Sequence, residues 1–234
     1  MSAGEKVLIA GIAEGFGLAL AQTFAETGQD ILGLARSARV AQEALSCAAR
    51  CGRAYRHIEA DLAEEESLRK GLSPDIERIG TAIVIAQHFC RAPFLETGAQ
   101  DWQACLATNC LGAVHLARML LPPMLMRGSG TLIFVGATAS LRGGNGFAAL
   151  AASKFALRAL AQSLAREFGP RGIHVAHLVI DGPIDTPQTD QRFPGRHVQR
   201  IAPESLARTC LMLARQPADC FTLELDLRPS EERF

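Results

Sequence analysis

The sequence predicts a doubly wound α/β fold, in which helices cover both faces of a mostly parallel, seven-stranded sheet. Short runs rich in β-branched residues alternate with longer stretches rich in alanine and leucine. The β-type runs are almost continuously apolar, which is typical of strands buried on both faces, and the stretches between them suit the crossover helices that parallel strands require. With 234 residues, 48% of them hydrophobic, the chain is predicted to be a single domain spanning residues 1–234.

The elements follow from these two kinds of segment. The predicted strands are Val7 to Ala10, Ile31 to Ala35, Tyr55 to Ala60, Ala82 to Ala86, Thr131 to Gly136, Ile173 to Ile180 and Thr222 to Leu227. The predicted helices lie near residues 15–27, 38–51, 64–72, 101–127, 147–168 and 203–215. Because proline lacks the amide proton that a helix needs, we expect Pro122 and Pro123 to kink or end the fourth helix.

Composition excludes several classes of protein. Lysine plus arginine and aspartate plus glutamate number 24 each, so the net charge is zero and no broad basic face is expected to attract nucleic acid or anionic lipid. The first apolar run, Val7 to Ala10, is too short for a signal peptide, and no apolar run reaches the roughly 18 residues of a membrane span. We predict a cytoplasmic protein whose partner is a small-molecule substrate or none, without a nucleic-acid or membrane partner.

Seven cysteines are an odd number and include no Cys-x-x-Cys pair. They are predicted to be free thiols in a reducing compartment. Cys47 and Cys51 are one helical turn apart, but they lack the further ligands that a zinc site needs, so no metal is predicted.

A glycine turn, Gly11-Ile12-Ala13-Glu14-Gly15-Phe16-Gly17, separates the first strand from the first helix. Glycines allow the backbone to approach a pyrophosphate without Cβ clashes, and the free amides and dipole at the helix start favour an anion. The spacing alone is a weak indication, and an ordinary strand-to-helix turn would share it. Its place at the first strand–helix junction favours a dinucleotide site and a Rossmann-like fold.

In this arrangement the chain resembles the short-chain dehydrogenase/reductase family through about 190 residues, with landmarks in the family's order. The resemblance implies nicotinamide coenzyme binding by the glycine turn, by an adenine-contacting pair, by the end of the fourth strand and by a loop after the sixth strand that holds the carboxamide. Those residues are Gly11, Gly15 and Gly17; Asp61 and Leu62; Ala86; and Gly182, Ile184 and Thr186. It also implies catalytic roles for Asn109, after Thr108, and for Lys154, after Ser153, and a grip by Lys154 on the nicotinamide ribose.

The departures from the family are as specific as the matches. Leu150 stands where the family has its tyrosine, and Ala137 stands where it has the serine that binds the substrate carbonyl. In the enoyl-reductase branch the tyrosine falls at Phe147, so neither branch's acid is present. The family's Asn-Asn-Ala-Gly stretch reads Ile85-Ala86-Gln87-His88, and the proline of its late Pro-Gly pair is Asp181.

The missing hydroxyls would protonate or hydrogen-bond the alkoxide formed when hydride reaches a carbonyl carbon. General acid catalysis contributes about 10² to 10⁴ in rate, so we expect ordinary carbonyl reduction to be impaired. Thr138, Ser140, His88 and Asp181 are the groups that could substitute, and none is compelling from sequence. Lys154 would retain its coenzyme role, although a solvated helix lysine is the alternative.

The end of the second strand bears on the choice of coenzyme. Ala35 supplies no carboxylate for the adenine ribose, whereas Arg36 and Ser37 can bind a 2′-phosphate, which favours NADP(H) over NAD(H). Glu14, in the glycine turn, argues mildly against this assignment because many NADP-using relatives carry a basic residue there.

The helix from Phe147 to Phe168 is rich in alanine and leucine on more than one face, which indicates a second buried face and a homo-oligomer, dimer or tetramer. Residues 185–201 fall where the family has its substrate lid, and their irregular pattern predicts a mobile segment. Within it, Arg192, Arg196 and Arg200 could bind an acidic substrate, but a solvated role is the stronger expectation.

Two functions remain open. The first is an NADP(H)-dependent oxidoreductase with an altered proton path. The second is a coenzyme-binding protein without turnover, which senses redox state or supports a partner subunit.

Overall fold

A seven-stranded parallel sheet runs through the computed structural model, which describes residues 4–194 and 198–231. The strand order is β3-β2-β1-β4-β5-β6-β7, and each neighbouring pair is parallel. The strands are β1 (Lys6–Ala10), β2 (Asp30–Ala35), β3 (Tyr55–Glu59), β4 (Ile79–Val84), β5 (Gly130–Val135), β6 (Ile173–Ile180) and β7 (Glu224–Leu227). The predicted doubly wound fold is therefore confirmed.

Helices cover both faces of the sheet. They are α1 (Phe16–Glu26), α2 (Ala41–Arg50), α3 (Glu65–Leu72), α4 (Ala99–Leu106), α5 (Gly112–Arg127), α6 (Ala148–Phe168), α7 (Pro187–Arg192) and α8 (Pro203–Ala214). One core layer packs α1, α2 and α8 against the sheet, and the other packs α3, α5 and α6. Strand β1 serves both layers, because Val7 and Ile9 face the first while Leu8 and Ala10 face the second.

The predicted boundaries hold to within a few residues, and two differences have clear physical reasons. Strand β4 begins three residues earlier than predicted, at Ile79, because Gly80 and Thr81 interrupt the apolar run from which the strand was predicted. Helix α5 contains Pro122 and Pro123 and continues to Arg127, so of the two predicted outcomes, a kink or an end, the end is wrong. Pro122 has no amide proton to donate to the carbonyl of Arg118, one helical turn earlier. Both residues lie on the exposed side of the helix, where water can bond that carbonyl instead.

Helices α4 and α5 are joined by a π-helical turn, Ala107–Leu111, into one helical run, Ala99–Arg127. By length and composition alone this run could cross a membrane. In the fold, Leu116, Leu120 and Met124 of α5 are fully buried in the second core layer. Buried core helices meet the same length and composition test, so this run is weak evidence for a membrane span.

The segment expected to be an irregular lid contains the short helix α7. Thr186 caps this helix, because its hydroxyl accepts a hydrogen bond from the Thr189 amide at 3.3 Å. Ile184 and Ile201 form a parallel bridge that closes the base of the segment. The predicted lid is therefore partly regular, and residues 195–197 lie outside the described part.

Candidate active site

A cleft of about 1170 Å³ opens at the carboxyl ends of the central strands, between the segments that follow β1 and β4. At this point the strand order reverses, because β2 and β3 lie on one side of β1 and β4 to β7 lie on the other. Ligands of open α/β sheets bind at such a switch point. The predicted site residues that line the cleft are Gly11, Gly17, Arg36, Ser37, Asp61, Leu62, Ala86, Ala137, Leu150, Gly182, Ile184 and Thr186.

The glycine turn closes the floor of the cleft. Gly11 has φ +99°, and a Cβ there would lie 2.5 Å from the Ala86 backbone. Gly15 has φ +76° and no room beside the Thr186 side chain, so it packs behind the cleft wall and does not line it. No side chain caps the start of α1. The Leu18 amide donates to the Ala13 carbonyl at 3.2 Å, whereas the amides of Phe16 and Gly17, two residues that line the cleft, have no acceptor among the described residues, an arrangement suited to a phosphate.

The segment after β2 carries the positive charge at one end of the cleft. Arg36 and Ser37 are exposed on the cleft wall, as the sequence predicts. Arg39 also lines the cleft, and its guanidinium lies 3.2 Å from the Glu14 carboxylate in an exposed ion pair. This pair partly neutralises the glutamate that argued against a 2′-phosphate. Sequence reasoning did not identify Arg39.

Lys154 lies beneath the cleft, with only 1% of its surface exposed. Its Nζ donates a hydrogen bond to the Val135 carbonyl oxygen at 2.9 Å, and it forms no ion pair with any described carboxylate. Burial lowers its pKa from about 10.5 to about 8. The alternative of a solvated helix lysine is therefore wrong.

Asn109 sits in the π-helical turn between α4 and α5, buried away from the cleft wall. Its Oδ1 accepts a hydrogen bond from the His88 amide at 2.7 Å, and its Nδ2 donates to the His88 carbonyl and to Ser153 Oγ at 3.1 and 2.9 Å. The side chain thus ties the helix to the segment after β4 and to α6. The oxygen and the nitrogen of its amide group are both bonded within the protein, so Asn109 holds these segments in position.

Leu150 precedes Lys154 by one turn of α6 and faces the cleft. It is 4% exposed and belongs to a small apolar cluster with Ala139 and Ala151, against which Phe89 and Phe147 pack. Ala137, at the end of β5, lines the cleft wall too. These two positions present methyl and isobutyl groups to the cleft and provide no proton.

The groups considered as substitutes are held in different ways. Thr138 lines the cleft, but its hydroxyl donates at 2.5 Å to the Asp181 carboxylate, which is 1% exposed. Ser140 is fully buried, and its Oγ accepts from the Ala137 amide. His88 is half-buried and lines the cleft, and its backbone amide and carbonyl are bonded to Asn109.

His177, on β6 behind the cleft, is fully buried, and neither ring nitrogen has a hydrogen-bond partner among the described residues. Burial lowers its pKa from about 6.5 to about 4; the charge of Glu224 opposes this shift, while those of Lys154 and Arg158 add to it. The neutral imidazole is therefore the form that the folded protein holds.

The stability of the protein is expected to fall between pH 6.5 and pH 4. The unfolded chain takes up the His177 proton near pH 6.5 while the folded chain stays neutral, so acid favours unfolding by up to about 3 kcal/mol. His174, whose pKa burial also lowers, acts in the same direction. Urea unfolding of the wild type and of His177→Leu over this interval should show a shallower pH dependence in the variant. An identical dependence would contradict the assignment.

Several cleft residues were not singled out from sequence for a binding role. Arg91, Arg142, Phe89 and Phe193 lie on the cleft wall at the end away from Arg36. They come from loops whose pattern is irregular, so periodicity gave no indication of them.

Comparison with known proteins places the chain among described relatives. Residues 5–197 match the family described as short chain dehydrogenase. The chain is 31% identical over 199 residues to a short-chain dehydrogenase/reductase of Armillaria gallica, covering 81% of this chain and 75% of the relative. It is 28% identical over 190 residues to 2-dehydro-3-deoxy-D-gluconate 5-dehydrogenase of Pseudoalteromonas atlantica, covering 80% and 74%. A solved short-chain dehydrogenase from Rhodopseudomonas palustris superposes with a TM-score of 0.83 at 30% identity, covering 97% and 100%.

Proposed function

The chain belongs to the short-chain dehydrogenase family, and from this premise we propose that it binds NADP(H) in the cleft but performs ordinary carbonyl reduction poorly. The observation that carries the coenzyme proposal is the uncapped start of α1, which faces the cleft beside two positive-φ glycines. Asp61, Leu62 and the residues after β6 complete the wall. These residues fit a dinucleotide, because a helix start receives its pyrophosphate.

The preference for NADP(H) over NAD(H) rests on Arg36 and Ser37. Both stand exposed at the cleft end where the chain leaves β2, and no described acid pairs with Arg36. A guanidinium binds a phosphate through two parallel hydrogen bonds. A carboxylate at position 35 would favour an unphosphorylated ribose, and Ala35 supplies none.

Replacing Arg36 with glutamine is expected to weaken NADPH binding about tenfold, or about 1.4 kcal/mol, and to leave NADH binding unchanged. Only NADPH carries the phosphate that the guanidinium would contact. Isothermal titration of each coenzyme into wild type and variant measures the difference, with Arg53→Gln as a matched surface control. Tighter binding of NADH than of NADPH by the wild type would refute the preference.

The impaired chemistry is proposed from Leu150 and Ala137, which take the places of the family's tyrosine and serine. Thr138 does not replace them, because its single proton is already donated to Asp181. Ser140 is buried away from substrate. His88 remains as the proton donor of an altered path.

The alternative function is that of a coenzyme-binding protein without turnover, acting as a redox sensor or as a partner subunit. The commitment of the Thr138 proton to Asp181 favours this alternative, because the hydroxyl of the cleft-lining residue that follows Ala137 in the chain cannot then serve as acid. Coenzyme binding itself is the same in both functions.

A panel of carbonyl, enone and imine substrates with NADPH, followed by loss of the reduced nicotinamide absorbance, separates the two functions. Efficient turnover by the wild-type protein would establish the oxidoreductase with an altered proton path. Coenzyme binding without measurable turnover on the whole panel would support the non-catalytic alternative.

A homo-oligomer and a cytoplasmic location remain parts of this proposal. Exposed apolar side chains on α6, at Ala152, Phe155 and Ala159, recur at helical spacing. Leu106 and Leu111, in the neighbouring helical run, are 39% and 50% exposed. A second copy of the chain would cover this surface, as a dimer or as part of a tetramer.

A further inference from the structure

The end of the cleft opposite Arg36 is lined by three arginines and three phenylalanines. They are Arg91, Arg142 and Arg192 with Phe89, Phe147 and Phe193, and we call them the arginine–phenylalanine end. They come from three separate segments, which follow β4, β5 and β6. The fold therefore brings together residues that are far apart in sequence.

The phenylalanine rings form a connected apolar surface. Phe89 lies edge-to-face with Phe147 and with Phe193, each at a ring-centroid separation of 6.0 Å. All three are half-buried, so part of each ring remains open to the cleft. Such a surface has the size and polarity to receive an aromatic or similarly apolar group.

Two guanidinium groups are held over these rings. The Cζ of Arg192 lies 4.6 Å from the centroid of Phe89, and that of Arg91 lies 5.6 Å from the centroid of Phe147. A guanidinium over a ring is attracted to the ring face while its N–H groups remain available to a ligand.

The charge at this end is not balanced by acid on the cleft wall. The acids that line the cleft, Glu14 and Asp61, belong to the glycine-turn half. Arg142 lies 3.8 Å from the buried Asp181, whereas neither Arg91 nor Arg192 forms an ion pair with a described residue. Partial burial lowers the pKa of Arg192, although the residue as a whole stays exposed, so a bound anion would stabilise its charge.

The arginines of the predicted lid segment differ in their contacts. Arg200 is paired with Asp185 and Asp190 at 3.4 and 2.6 Å, and Arg196 lies outside the described residues. Arg192 faces the cleft wall over Phe89. Arg192 is nevertheless exposed, so the choice between a solvated charge and a ligand-binding group stays a prediction.

We propose that the arginine–phenylalanine end binds an organic carboxylate that carries an aromatic or similarly apolar body. The carboxylate contacts Arg192 and Arg91, and the apolar body packs on Phe89, Phe147 and Phe193. The inference deepens the proposed function, on which it rests, by naming the chemical class of the second ligand.

Hydrocinnamate and its neutral amide, hydrocinnamamide, are matched probes of this end. We expect the wild-type protein, titrated calorimetrically with saturating NADPH, to bind hydrocinnamate at least about tenfold more tightly than the amide. Arg192→Gln should remove most of that difference. Arg171→Gln, which alters a guanidinium over the Phe168 ring outside the cleft, should retain it.

Equal affinity for acid and amide, an unchanged difference in Arg192→Gln, or no binding of either probe at millimolar concentration would overturn the proposal. The same titrations without coenzyme separate the two proposals. If the protein binds no coenzyme but binds the acid selectively through Arg192, the proposed function is wrong and the proposal for the arginine–phenylalanine end is supported.

Discussion

The double variant Leu150→Tyr, Ala137→Ser is expected to reduce a carbonyl substrate with NADPH about 10² to 10⁴ times faster than the wild-type protein. A coenzyme held in the cleft would supply the hydride for such a reduction. The side chains at 150 and 137 then decide whether the oxygen receives a proton or a hydrogen bond. In the wild type, both positions present only hydrocarbon to the cleft.

The place of Leu150 explains the size of the expected gain. It stands one helical turn from Lys154, whose ammonium would lower the pKa of a phenol from its intrinsic value of about 10. Leu150 already packs beside Phe89 and Phe147, so an aromatic ring suits its surroundings. A serine at 137 would add a hydroxyl on the cleft wall.

The matched control is Leu150→Phe, Ala137→Ser, which introduces the ring without the phenol hydroxyl. It should remain well below the tyrosine variant, because it adds only the serine hydroxyl and no acid. If this control gains as much as the tyrosine variant, the effect is one of packing and the role assigned to the missing phenol is wrong. Efficient turnover by the wild type with no gain in the tyrosine variant would equally contradict it.

Replacing Lys154 with methionine is expected to stabilise the coenzyme-free protein while weakening NADPH binding at least about tenfold. The pKa of Lys154 is about 8 in the folded chain and about 10.5 when solvated, so at neutral pH the charged form carries an unfavourable burial term of about 3 kcal/mol. Loss of the hydrogen bond to the Val135 carbonyl offsets part of the gain, leaving about 1 to 2 kcal/mol. The coenzyme would lose the ammonium that the resemblance assigns to its ribose.

Urea unfolding and coenzyme titration of Lys154→Met measure the two effects separately. Lys70→Met, on the exposed side of α3, serves as a control and should change neither by a comparable amount. The sign of the pH dependence provides a further check. From pH 8 to pH 10.5 the folded chain binds fewer protons at Lys154 than the unfolded chain does, so the stability of the wild type should rise relative to that of the variant. A variant that is less stable and binds NADPH normally would contradict the buried-lysine account.

Sequence patterning was sufficient for the fold and for most of the residues that line the glycine-turn half of the cleft. Continuous apolar runs identify the strands because both faces of a parallel sheet are buried. The glycine turn was identifiable because Gly11 and Gly15 adopt backbone conformations that other residues rarely reach. Both requirements are local, so short stretches of sequence are enough to identify them.

The second half of the cleft depends on contacts between distant segments, which local patterns do not encode. Arg192 gains its place only because the segment after β6 brings it over Phe89, which follows β4. Lys154 was expected to hold the coenzyme ribose, with a solvated helix lysine as the alternative, and its burial under the cleft depends on where β5 places the Val135 carbonyl. The continuation of α5 beyond Pro123 likewise reflects tertiary packing that overrides the helix-breaking tendency of proline.

The most direct test of the central claim is a calorimetric titration of the purified wild-type protein with NADPH. We predict saturable binding at one site per chain with a Kd well below about 1 mM, because the glycine turn and the start of α1 line the cleft and Lys154 lies beneath it. Absence of binding by NADPH and by NADH at millimolar concentration would contradict the account.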